Sequence, residues 1–188
     1  NNPNNLGQPI DFIADVTTDK GQGQIRVNHP LATDRGNIYL TGNGFAPVIT
    51  VFDAEGNIAY SGPTVFLPQD ANMTSLGVIK VPDANPKQIG IIAFFYPTAE
   101  KLQSGAYTSI YPDPIDPLLT MNVYTGDLGL DSGVPRNVFA LDTSVLETVA
   151  SRNGPNNPIE LRVGETADIP GGIGSVRFEG LLRFASLD

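Results

Sequence analysis

NHPLATDRGNIYLTGNGFAPVITVFDAEGNIAYSGPTVFLPQD, Asn28 to Asp70, is the stretch whose reading decides the fold. Ile38-Tyr39-Leu40 and Val48-Ile49-Thr50-Val51-Phe52 are runs of β-branched, apolar and aromatic side chains, which suit a pleated, half-buried surface. Between them Gly42 and Gly44 permit a bulge or tight bend ahead of Pro47. Asp53-Ala54-Glu55-Gly56-Asn57 then has the make-up of a hairpin loop, with Asp at its start and Gly at the left-handed position. It returns the chain into Ile58-Ala59-Tyr60-Ser61. The stretch therefore predicts a meander of short antiparallel strands, and nothing in it is a catalytic signature.

Working outward, Ile10 to Val16 alternates loosely and reads as a first strand, Lys20 to Gly23 as a turn and Gln24 to Val27 as a second strand. Met73 to Val81 is a strand ended by Pro82. Gln88 to Tyr96 has apolar residues on both faces, as in a strand covered on both sides. Thr98 to Leu102 allows one turn of helix. Tyr111 to Pro117 excludes regular structure, because its three prolines remove donors and extend the residues before them. Leu118 to Thr125 is a strand, Gly126 to Pro135 a loop and Asn137 to Leu141 a short strand. The one helix expected is at residues 144–151, where Ser144 and Glu147 have capping-box spacing and Asn153-Gly154-Pro155 follows. Ile159 to Val163, Thr166 to Ile169, Ser175 to Phe178 and Leu181 to Leu187 close the fold. The expected class is all-β, an antiparallel β-sandwich or two packed sheets with that one short helix, forming a single domain over residues 1–188.

The 188 residues suffice for a core that buries roughly 70% of the unfolded surface, so no disulfide or metal staple is required. Cysteine is absent, which excludes thiol redox chemistry and thiolate metal sites within the chain. A net charge of −9, with 11 scattered basic residues, argues against nucleic acid and anionic lipid surfaces as partners. No apolar run reaches the length of a membrane-spanning helix, and no signal-peptide pattern is present. The opening on Asn1 without an initiator Met suggests a fragment of something longer.

Chemistry-bearing patterns are sparse. His29 is the single imidazole; it could contact haem iron, and the plainer reading is a strand-end residue shaped by Asn28 and Pro30. Met73 and Met121 read as core. Asp113 with Asp116 and Asp127 with Asp131 could pair as in a glycosidase, although short carboxylate pairs in Pro/Gly loops more often form turns. Asp53-x-Glu55-x-Asn57 offers oxygen atoms to calcium but lacks the Gly and distant Glu of an EF-hand. Gly171-Gly172-Ile173-Gly174 lacks the Lys-Ser/Thr of a phosphate loop and fits a hairpin turn.

Several of these segments carry a resemblance. Val27-Asn28-His29-Pro30-Leu31, Tyr39-Leu40-x-Gly42-x-Gly44-x-Ala46-Pro47, Asp53-x-x-Gly56-Asn57 and Phe66-Leu67-Pro68-Gln69-Asp70 resemble the extracytoplasmic domain of ResB-type (CcsB) proteins of system II cytochrome c maturation. Gly77-Val78-x-Lys80-Val81-Pro82-Asp83, Tyr124-Thr125-Gly126-Asp127-Leu128-Gly129-Leu130-Asp131 and Gly174-Ser175-Val176-x-Phe178-x-Gly180 continue the likeness in order along most of the chain, closest to actinobacterial members. The resemblance implies a non-enzymatic role on the extracytoplasmic face of the bacterial cytoplasmic membrane. There the full protein and a CcsA-type partner handle haem and present it to apocytochrome c. It implies haem for the full-length complex and no cofactor in this fragment, whose membrane segments are missing. Partner docking is expected on the loops around Asn28, His29 and Leu31 and around Gly126, Asp127 and Asp131. An inserted domain of this kind is also expected to bring its first and last strands together. The competing readings are an exported β-sandwich that binds carbohydrate or mediates adhesion, and a glycosidase-like enzyme.

Overall fold

The computed structural model describes residues 13–18, 21–26, 29–33, 36–38, 40–130 and 137–187. The chain divides into two compact units, Asn1–Gly44 with Arg183–Asp188, and Phe45–Leu182.

The larger unit is built on two antiparallel sheets. The first orders β13 (Glu147–Ala150), β12 (Leu118–Thr125), β9 (Ile89–Tyr96), β8 (Ser75–Val81) and β7 (Leu67–Pro68), with β14 (Ile159–Leu161) also pairing β12. The second orders β15 (Thr166–Ile169), β16 (Gly174–Leu187), β5 (Leu40–Asp53) and β6 (Ile58–Pro63). Period-two alternation assigns their faces. In β8, Ser75, Gly77, Ile79 and Val81 are buried while Leu76, Val78 and Lys80 are half-buried. Ile89, Ile91, Ala93 and Phe95 of β9 pack with Leu119, Met121 and Val123 of β12, Ile49 and Val51 of β5, and Val176 and Phe178 of β16 in one core. Phe95 lies edge-on to Phe45 at 5.1 Å and to Phe178 at 6.4 Å between ring centres. Each such pair adds about 0.5–1.5 kcal/mol beyond the area it buries. The expected all-β class of packed antiparallel sheets is what the chain forms.

Close packing needs a missing side chain at two points. Gly77 of β8 lies beneath the fully buried Phe66, whose ring atoms stand 2.2 Å from where a β-carbon would be. Gly90 of β9 lies beneath Leu128 and Leu141, which cover the outer face of that strand. The second coat explains why Gln88 to Tyr96 is apolar on both sides.

In the smaller unit, β1 (Ile13–Thr18) pairs with β2 (Gly21–Arg26), and β3 (Leu31–Thr33) with β4 (Gly36–Ile38), each antiparallel. Ile13, Ala14 and Asp15 share a cavity of about 370 Å³ with Arg183, Phe184 and Ala185. The first and last strands thus lie together as expected.

Four expectations are corrected. Residues 144–151 are not helical: Ser144 and Val145 sit in a turn and Glu147–Ala150 is β13, paired with Val123–Thr125. The carboxylate that caps this segment is Asp142, whose Oδ1 accepts from the backbone N–H and hydroxyl of Ser144. An open edge on β12 outcompetes the capping-box pattern. Residues 137–140 form a turn, closed by the Ala140 amide donating to the Asn137 carbonyl, instead of a strand. Residues 98–102 contribute β10 (Ala99–Lys101), a hairpin with β11 (Tyr107–Ser109), instead of a helical turn. Lastly, Gly42 and Gly44 do not break the chain: Leu40–Asp53 is one strand, as is Gly174–Leu187. A glycine permits a bend without requiring one, and β5 and β16 extend beside each other in the same sheet.

Candidate functional site

The outward phase of the first sheet builds a cleft. Glu160 of β14 stands opposite Thr120 of β12, and Thr120 opposite Phe94 of β9, so one row of outward positions crosses three strands. Asn122 and Tyr96 occupy neighbouring outward positions. The β10–β11 hairpin folds over this floor with Lys101 and Tyr107, and the segment after β13 brings Arg152 from the other side. The cleft encloses about 540 Å³.

Its walls are pinned by polar contacts. The Tyr107 hydroxyl donates to Glu160 Oε2 at 2.8 Å, and an Arg152 guanidinium nitrogen donates to the Ser104 carbonyl at 3.1 Å. Asn72 donates to the Ser109 carbonyl and holds the hairpin's far strand. Tyr107 lies between Lys101, whose Nζ is 5.3 Å from the ring centre, and Tyr96, whose ring is 5.9 Å away and tilted by 43°. Burial pushes the Tyr96 phenol above its ordinary value, with the Thr120 hydroxyl pulling the other way. Burial also raises Tyr107, helped by the hydrogen bond to Glu160 and its charge and opposed by Lys101.

The residues singled out in the sequence fall elsewhere. His29 is exposed; its backbone forms a bridge with Arg26, so it closes the end of β2. Leu31 is half-buried and packs over Gly23. Asn28 and Asp131 lie outside the described residues. Gly126 and Asp127 follow β12 on a loop tied to Gln88. The Gln88 carbonyl accepts from the Gly126 amide and the Thr125 hydroxyl, and its side-chain oxygen accepts from the Leu128 amide. Asp127 accepts from the Gly129 amide at 2.7 Å. His29 and Leu31 belong to one compact unit, Gly126 and Asp127 to the other.

The carboxylates have structural work. Asp53, buried, accepts from the amides of Glu55 and Asn57, each at 2.9 Å, and Gly56 at φ 83° completes the hairpin that its sequence suggested. Asp116 pairs with Arg162, and the Asp113 carbonyl accepts from the Thr98 hydroxyl. Gly171 and Gly172 turn β15 into β16. Among the described residues, no group of three or more His, Cys, Asp or Glu is placed to hold a metal ion.

Phe94, Tyr96, Lys101, Tyr107, Asn122, Arg152 and Glu160 were not singled out from the sequence. Phe94, Tyr96 and Asn122 carry the only signal, being the outward phase of strongly alternating strands. Their union with Arg152 and Glu160 depends on register between strands dozens of residues apart.

The chain is thus an all-β protein of packed antiparallel sheets with a charged and aromatic cleft on one outer face. Residues 2–188 match the model of the ResB-like family, and the chain belongs to that family, which places it in cytochrome c biogenesis. No match was found among curated proteins, nor among solved structures. No helix among the described residues is long and apolar enough to cross a membrane.

Proposed function

We infer that this chain is the extracytoplasmic domain of a ResB-type membrane protein. In this reading it supports haem delivery and its presentation to apocytochrome c, with a CcsA-type partner, by docking and not by catalysis. The match to the ResB-like family over residues 2–188 carries the reading.

The full burial of Met121 and the partial burial of Met73 speak against their serving as axial ligands to haem iron. Met121 is fully buried in the sheet core and Met73 packs against its edge. His29 is exposed, and it is its backbone that closes the end of β2. In this reading haem ligation belongs to membrane segments outside this chain.

Docking falls to the loops at 28–31 and 126–131. A photo-crosslinking residue at His29 or Asp127 of the full-length protein is expected to capture the CcsA-type partner or apocytochrome c. Charge reversal at Asp127 is expected to lower covalent haem attachment while the protein still accumulates. Normal holocytochrome levels, with no crosslink from either loop, would refute the docking role.

A further inference from the structure

The cleft under the β10–β11 hairpin has a chemistry that docking by the loops does not use. The chain carries a net charge of −9, yet two of its 11 basic residues, Lys101 and Arg152, converge on this mouth from segments about fifty positions apart. The one carboxylate there, Glu160, already accepts the Tyr107 hydroxyl. Local charge is therefore positive against the field of the whole molecule.

The floor is different. Phe94 is half-buried and apolar, and Asn122, also half-buried, makes no side-chain hydrogen bond to another described residue. It keeps both donor and acceptor capacity for a guest. Sugar stacking is disfavoured, because the most prominent ring, Tyr107, is occupied by Lys101 and Tyr96. The backbone amides of Gly105 and Ala106, which line the cleft, are already donated to the Leu102 carbonyl and the Ser104 hydroxyl, which weakens the match to phosphate.

We propose that this cleft binds a carboxylate attached to an apolar, planar body. The carboxylate meets the Arg152 guanidinium and the Lys101 ammonium at the mouth, the body lies on the half-buried Phe94, and Asn122 takes a polar atom alongside. A small aromatic acid and an acidic residue beside an aromatic one in an extended peptide share this chemistry. The proposal stands independently of the role in cytochrome c maturation.

The test is calorimetric titration of the whole chain with four probes: 2-naphthoate, 2-naphthamide, acetyl-Phe-Glu-amide and acetyl-Phe-Gln-amide. Each acid is expected to bind at least about tenfold more tightly than its amide, since a charge-assisted contact is lost in the amide. Lys101→Gln with Arg152→Gln should remove that preference. Both positions are exposed, and unchanged unfolding by urea will confirm that the fold is retained. Tighter binding of the peptide acid assigns the natural ligand to a polypeptide segment, and tighter binding of naphthoate assigns it to a small acid. Equal affinity for acid and amide, an acid preference that survives in the double variant, or no binding of either acid overturns the proposal.

Discussion

Substituting Gly77 by alanine would put a methyl carbon 2.2 Å from Cδ1 and Cε1 of Phe66. Favourable carbon–carbon contact lies near 3.5–4.0 Å, so the ring must retreat by about 1.3 Å or more. It has little room: Phe66 is fully buried, and its backbone amide is tied to the Phe45 carbonyl of β5 at 3.0 Å. The strain therefore reaches both sheets. Overpacking of this kind costs about 1–3 kcal/mol, and the depth of the overlap places Gly77→Ala near the upper end. Phe66→Ala alone should cost about 3–5 kcal/mol by leaving a cavity. In the Phe66→Ala background the added methyl enters that cavity, and its cost should fall to about zero. The two changes are in contact, so a coupling of about 2–3 kcal/mol is expected from the double-mutant cycle. Urea unfolding of the four proteins reads it directly. With m of about 1–3 kcal/mol/M, Gly77→Ala should lower the midpoint by about 1–3 M in the parent and leave it nearly unmoved in Phe66→Ala. An equal cost in both backgrounds would refute the reasoning, as would a cost below about 0.5 kcal/mol in the parent.

Three further outcomes follow from the same geometry. Asp53→Ala leaves two hairpin amides without their acceptor and should cost about 1–3 kcal/mol, with Asp53→Asn milder; urea midpoints that match the parent would contradict the assignment of Asp53 as the hairpin's anchor. Tyr96 and Tyr107 should ionise above the ordinary 10.0, so the folded state holds these protons longer than the unfolded chain. Their contribution to stability is complete below about pH 10 and declines as the pH rises through the folded values; a phenolate absorbance titration in which Tyr96→Phe and Tyr107→Phe do not remove the latest component would count against it. Haem titrated into the chain should give no complex with an axial ligand from this chain; a sharp Soret band abolished by His29→Ala would refute this and make His29 a ligand.

The local chemistry of the chain was legible where side chains decide it alone. The Asp53–Asn57 turn, the alternation of residues 75–81 and the doubly apolar run at 89–96 all follow from residue type and period. Register was not legible. Ser144 and Glu147 have helix-capping spacing, yet Thr148 and Val149 are β-branched and a strand edge was waiting at Val123–Thr125; local pattern lost to tertiary pairing. The same gap hid the cleft. Phe94 and Thr120 can be assigned outward from alternation, but that Glu160 completes their row is a fact of three-strand register. Lys101 and Arg152 read as scattered charges in the sequence, because a helical turn at 98–102 and a helix at 144–151 give no reason to bring them together. The candidate loops at Asn28–Leu31 and Gly126–Asp131 follow from likeness to the family; of their described residues, His29 is anchored through its backbone to Arg26 and Gly126 to Gln88.

The pairing of β16 with β5 sets a timetable for biosynthesis. Residues 40–53 emerge from the ribosome early, whereas their partner at 174–187 follows more than a hundred residues later. The β5–β6 hairpin forms quickly from neighbours in sequence, but the other edge of β5 has no strand to receive it for most of synthesis. Pairings of such long separation slow folding and leave a sheet edge open to other chains meanwhile. The first sheet, by contrast, can assemble from β7 through β12 as they appear. The fold is therefore completed last along the β5–β16 seam, and chain shortened before β16 would retain an exposed edge at its apolar centre.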